Sequence, residues 1–105
     1  MIEISPEELK QQLKEGRKLV LIDVREPDEY EICHLEKAKL IPMKEIPQRF
    51  AELNSKDDIV LYCHHGMRSA QAALWLQQKG FQNVKSLKGG IHEWAIRIDP
   101  EMNRY

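Results

Sequence analysis

The sequence predicts an α/β fold built on a mostly parallel sheet with helices covering both faces. Three observations carry that expectation. Strand-like and helix-like segments alternate along all 105 residues, and connections of this length join parallel strands through crossovers. Two segments, LVLIDV (Leu19 to Val24) and IVLYC (Ile59 to Cys63), are nearly unbroken β-branched and aliphatic runs, as suits strands buried on both faces. No repeat, linker or low-complexity stretch interrupts the pattern, so one domain over residues 1–105 is expected.

The elements follow in order. Ile2 to Ile4 reads as a short strand. Ser5, Pro6 and Glu8 then form a helix start, with a capping hydroxyl, a proline at the first helical position and a glutamate three residues after the cap. Leu9 and Leu13 give this helix a narrow apolar stripe, and Gly16 ends it. The Leu19 to Val24 strand leads into a short helix at EPDEYE. Lys39 to Met43 reads as a strand stopped by Pro42, and Ile46 to Leu53 as a helix with Phe50 and Leu53 facing inward. The polar break NSKDD precedes the strand Ile59 to Cys63. A helix from Met67 to Lys79, rich in Ala, Leu and Gln, closes at Gly80. Val84 to Gly90 supplies the last strand and a turn, and Ile91 to Ile98 the last helix.

Composition narrows the function classes. Sixteen basic against seventeen acidic residues leave a formal net charge of -1, so no global field attracts nucleic acid or an anionic membrane surface. Any anion must be held by a local arrangement. The apolar runs are too short to span a bilayer, and the first dozen residues lack the basic-then-apolar layout of an export signal. A reducing cytoplasm is therefore expected, with Cys33 and Cys63 as free thiols rather than a disulfide.

One stretch stands out chemically. VLYCHHGMRS (Val60 to Ser69) sets Cys63 at the carboxyl end of a central strand, a few residues before a helix. In open α/β sheets that edge binds ligands. The unpaired N–H groups of the helix's first turn point back toward the cysteine. Gly66 lets the loop curl so that successive amides converge, and Arg68 adds a permanent, forked cation. Together they predict an anion cup with an open thiol at its base. In general, lowering a thiol pKa from about 8.5 by two units raises the thiolate fraction at pH 7 about 25-fold. Intrinsic nucleophilicity falls by about 6–10-fold over the same change. Ionisation alone is thus a weak reason for such a loop, and holding an anionic substrate in line is the stronger one. The competing reading is a packed strand cysteine, since cysteine is among the most buried residue types.

These residues resemble the rhodanese family of sulfurtransferases, in particular its small single-domain members. DVREPDEYEICHLEKAKLIP resembles the family's Asp-Val-Arg segment, its following Glu-Tyr and its Gly-His-Ile-x-Gly-Ala stretch. YCHHGMRS resembles the active-site loop, and LKGGIHEW the Gly-Gly-x-x-x-Trp motif. The resemblance implies a three-layer α/β/α fold with a five-stranded parallel sheet. It also implies that Cys63 carries a persulfide and that His64, His65, Gly66, Met67 and Arg68 cradle the outer sulfur and the substrate. Asp23, Arg25, Gly89, Gly90 and Trp94 match positions read here as architectural. In CHLEKA, Cys33 and Lys37 stand at the family's two glycine positions. A strained or reshaped turn is expected there, with Cys33 an incidental packed or half-exposed residue.

Loop length separates sulfur from phosphate chemistry. Related cell-cycle phosphatases and arsenate reductases have five residues between cysteine and arginine, whereas four separate Cys63 from Arg68. A ring shortened by one residue suits a single persulfide sulfur, about 2.05 Å beyond the first, better than three phosphoryl oxygens. The expected reaction moves sulfur from a small anionic donor such as thiosulfate, or from a persulfide, to a thiol acceptor. A non-catalytic rhodanese-like interaction module is the alternative, although such modules usually lack the cysteine. No metal and no cofactor are expected: His64 and His65 with His34 and His92 are poorly spaced for one ion, and no Cys-x-x-Cys is present.

Overall fold

The computed structural model describes residues 2–105. Five strands form one sheet in the order β1-β5-β4-β2-β3, where β1 is Glu3–Ile4, β2 Val20–Asp23, β3 Lys39–Leu40, β4 Ile59–Tyr62 and β5 Val84–Leu87. Every pair is parallel, with Leu21 opposite Val60, Asp23 opposite Tyr62 and Leu61 opposite Ser86. The helices are α1 (Pro6–Lys14), α2 (Pro27–Ile32), α3 (Ile46–Arg49), α4 (Met67–Gln78) and α5 (Gly90–Arg97).

Alternation along the central strands sorts the core into two layers. Ile22, Ile59 and Leu61 face one side, where they pack with Ile46, Ala72, Ala73 and Leu76 from α3 and α4. Leu21, Val60 and Tyr62 face the other, with Leu9 from α1 and Ile91 and Trp94 from α5. Both faces of β4 are buried, so this strand can be apolar throughout. The three-layer α/β/α arrangement with five parallel strands is the one expected.

Local chemistry behaves as the sequence indicates at the start of α1. The Ser5 hydroxyl accepts from the Glu8 amide at 3.1 Å, and the Glu8 carboxylate accepts from the Ser5 amide at 3.0 Å. Two elements are shorter than expected. The edge strand β3 stops at Leu40, although the Ile41 and Met43 amides still donate to Asp23 and Val24 carbonyls at 2.9 Å. Pro42 lacks the N–H that would continue a regular ladder. The helix expected over Ile46 to Leu53 is a single α turn, α3, flanked by 3-10 turns at Met43–Glu45 and Phe50–Glu52. Phe50 and Leu53 do pack against the core.

The CHLEKA turn is reshaped at one position and strained at the other. Cys33 is extended at φ −164° and needs no glycine. Lys37, at φ +68°, is the non-glycine residue among those described with a left-handed backbone. Burial of Leu35 and Ala38 on either side forces the chain to reverse there.

Candidate active site

Cys63 follows the last residue of β4, the middle strand of the sheet, and faces the α4 side among Ile22, Leu61 and Ala72. The chain then curls through His64, His65 and Gly66 into α4. Gly66 has φ +101°, and a side chain on it would meet the Gly89 amide nitrogen and the Leu87 carbonyl at 3.2 and 3.3 Å. Its conformation aims its own amide at the sulfur: Gly66 N–H donates to Cys63 Sγ at 3.0 Å. The Ser69 amide, in the first turn of α4, donates to the same sulfur at 3.4 Å. The Ser69 hydroxyl lies 3.5 Å from Sγ, 2.7 Å from the Ser86 hydroxyl, and donates to the Gly66 carbonyl at 3.3 Å.

The outside of the loop is held by α5. The Ile91 and His92 amides, unpaired within their own helix, donate to the Cys63 and His64 carbonyls at 2.9 and 3.0 Å. That contact is possible because residue 90 is glycine: a Cβ there would collide with the Cys63 and His64 carbonyl oxygens. The Gly-Gly pair therefore seats one helix end directly on the sulfur loop.

The expected collar of inward-aimed amides is present, but the expected open thiol is not. Cys63 is 1% exposed. Its neighbours on the sheet side are aliphatic, and the loop closes over it. Two roomy surface concavities lie elsewhere, one beside Leu35 and Trp94 and another beside Ala70 and Leu74. Sequence reasoning placed an open sulfur at the base of a cup because that edge of an α/β sheet is where ligands bind. It had no means of seeing how tightly α5 pins the loop.

The other loop residues divide. Met67 is 75% exposed at the start of α4. His64 is sandwiched between His65 and Tyr105, with ring centroids 4.1 and 4.0 Å apart, and His92 stands edge-on at 5.9 Å. Burial first, then the neighbouring imidazoles of His65 and His92, push the His64 pKa below 6.5. That direction favours the neutral ring over the charged one. Arg68 turns its fork onto Glu29 of α2, with Nη1 and Nη2 donating to the two carboxylate oxygens at 2.9 and 3.0 Å. The hydrogen bonds to Glu29 raise the Arg68 pKa against the penalty of burial.

Glu29 is the residue the sequence reading missed. It accepts from Arg68, from the Glu26 amide at 3.0 Å and from the Tyr105 hydroxyl at 2.8 Å. The Arg68 hydrogen bonds are the main cause that holds its carboxyl down to about 2, against the penalty of burial. Tyr105 in turn accepts from Arg25 Nη1 at 2.7 Å. Arg25 is itself fully buried and paired with Asp23 at 2.6 Å, and its Nη2 also donates to the Cys33 carbonyl. Asp23 and Arg25 thus have the architectural place expected of them. The sequence signals for Glu29 were its position within EPDEYE and its place in the Glu-Tyr pair that resembles the rhodanese pattern, and neither gave it a role. Nothing marked Ser86 or Tyr105. Among the described residues, no three His, Cys, Asp or Glu side chains are arranged to hold a metal ion, and Cys33 and Cys63 are both free thiols. No helix of these residues is long and apolar enough to cross a membrane.

Comparison with known proteins points to one family. The protein titled "Probable adenylyltransferase/sulfurtransferase MoeZ" of Mycobacterium tuberculosis is 43% identical over 104 residues, covering 97% of this chain but 26% of that protein. This chain thus spans about a quarter of that relative. A protein named "Sulfurtransferase" from Allochromatium vinosum is 40% identical over 93 residues, covering 89% of this chain and 87% of its own length. The crystal structure of a rhodanese-related protein from Thermoplasma volcanium superposes with a TM-score of 0.85 at 28% identity, covering 93% of this chain and 94% of the other. The rhodanese-like domain profile matches residues 5–97, and the chain, with its parallel sheet and its cysteine loop under the Gly-Gly turn, belongs to the rhodanese-like family.

Proposed function

We propose that this protein is a sulfurtransferase in which Cys63 accepts a sulfane sulfur and passes it to a thiol. The observation that carries the reading is the pair of amides, from Gly66 and Ser69, directed at the Cys63 sulfur at the carboxyl end of the central strand. Such donors stabilise negative charge on sulfur, both on the attacking thiolate and on the persulfide that follows. With thiosulfate, the Cys63 thiolate attacks the outer sulfur, the S–S bond breaks, and sulfite leaves with the electron pair. The Cys63 persulfide then yields its outer sulfur to an acceptor thiolate, or to cyanide in an assay, and regenerates the thiolate. His64, His65, Gly66, Met67 and Arg68 form the substrate-binding loop in this reading. The four-residue spacing from Cys63 to Arg68 favours a sulfur atom over a phosphoryl group. Because Cys63 is 1% exposed, the loop must shift outward for a donor to reach it.

The burial of Cys63 favours one rival, a packing role with no chemistry, and a single experiment separates the two. The protein is incubated with thiosulfate, or with a persulfide donor, and weighed intact. A gain of one sulfur atom on the peptide holding Cys63, absent in Cys63→Ser together with turnover, is the expected result. No gain from any donor, or turnover undiminished in Cys63→Ser, overturns the proposal.

A further inference from the structure

Resting on the sulfur-transfer reading, we propose that Glu29 is a specificity residue that turns the site away from dianionic donors and toward persulfides of low charge. An anion-binding loop is expected to present its arginine to the substrate. Here both forked nitrogens of Arg68 are already taken by the two oxygens of one carboxylate, at 2.9 and 3.0 Å. The carboxylate is itself fixed from two other directions, by the Glu26 amide and by the Tyr105 hydroxyl. Tyr105 lies beyond residues 5–97, the span shared with the family profile. Its hydroxyl is anchored on buried Arg25 and its ring is stacked on His64. The clamp on Arg68 is thus completed by a part of the chain outside the common domain.

Two consequences follow for a donor. Thiosulfate carries two negative charges and must either displace the Glu29 carboxylate from Arg68 or approach with that carboxylate in place. The first loses a bidentate, charge-assisted pair, and the second meets like charge while Arg68 stays engaged by Glu29. A protonated persulfide, R–S–SH, needs neither. The Cys63 thiolate attacks its outer sulfur, the S–S bond of the persulfide breaks, and R–S⁻ leaves with the electron pair while Cys63–S–SH forms. Atoms and charge balance without a further reactant. Glu29 acts here through Arg68 and does not touch the transferred sulfur.

The test compares kcat/KM for thiosulfate and for the persulfide of 2-mercaptoethanol, which carries no charge beyond its sulfur, with persulfidation of Cys63 followed by intact mass. In Glu29→Gln the ratio of thiosulfate to persulfide kcat/KM should rise about ten-fold, chiefly through a lower KM for thiosulfate, as expected when a charged competitor for one guanidinium is removed. Tyr105→Phe keeps the stacked ring at a half-exposed position, so it leaves the fold intact. It should move the ratio in the same direction by about two- to three-fold, the worth of one hydrogen bond. An unchanged or lower ratio in both variants, with Cys63 still taking up sulfur, overturns the role of Glu29 and leaves sulfur transfer standing. No sulfur on Cys63 from either donor in the unmodified protein overturns both.

Discussion

Lys37 shows how a single residue records a conflict between burial and backbone preference. Leu35 and Ala38 are both buried, and the reversal between them leaves Lys37 exposed at φ +68°. An L-residue in that region costs roughly 1–2 kcal/mol, of which the lost flexibility of glycine returns about half. Lys37→Gly should therefore raise stability by about 0.5–1 kcal/mol, read as a later midpoint in urea unfolding. The opposite extreme is Arg25, whose guanidinium has no exposure and is paired with Asp23 at 2.6 Å. Burial alone would depress its pKa, yet its bonds to Asp23 and Tyr105 hold it well above the usual range. Removing the partner strands a buried cation, so Asp23→Ala should cost about 3–5 kcal/mol. A loss under ~1 kcal/mol in the same unfolding assay would contradict that account. All three residues were legible as motif positions, but only Asp23 and Arg25 announced their role. Lys37 was recognisable solely as a departure from glycine.

Between elements, the decisive contact is the seat of α5 on the cysteine loop. The first free amides of α5 bond the Cys63 and His64 carbonyls, and Gly90 at φ +64° leaves no room for a Cβ against them. Gly90→Ala should destabilise the fold by about 2–4 kcal/mol, combining left-handed strain with overpacking. It should also speed alkylation of Cys63 by iodoacetamide, because the loop that covers the sulfur loses its outer support. Slower or unchanged alkylation in a folded variant would show that α5 does not hold the loop shut. The turn itself was readable from the sequence as a pair of glycines. What it presses against was not, since 25 residues separate Cys63 from Gly89.

Across the whole molecule, Glu29, Tyr105 and Arg68 tie α2, the segment after α5 and the start of α4 into one polar seam. The seam has a pH signature. Arg68 above all keeps the folded-state pKa of Glu29 near about 2, against an ordinary 4.5. The folded state thus binds fewer protons than the unfolded one between these values. Stability from this group is fully present above pH 4.5 and is lost as pH falls toward about 2. Glu29→Gln should flatten the acid limb of the stability profile between those limits, while leaving its slope near neutrality unchanged. An acid limb as steep as that of the unmodified protein would place the titrating group elsewhere.

The order of strands and helices, the parallel sheet and the sulfur at the end of the middle strand all follow from local pattern. Apolar periodicity, capping residues and glycine positions act over a few residues, and each leaves its mark where it acts. The sequence by itself therefore determined the framework and the place of the Cys63 sulfur. Only the tertiary structure decided that this atom is covered, that Arg68 faces a carboxylate, and that Tyr105 reaches back to hold that carboxylate in place. Those outcomes join residues up to 76 positions apart, and the hydrogen bonds and burial that select them do not exist until the layers have closed.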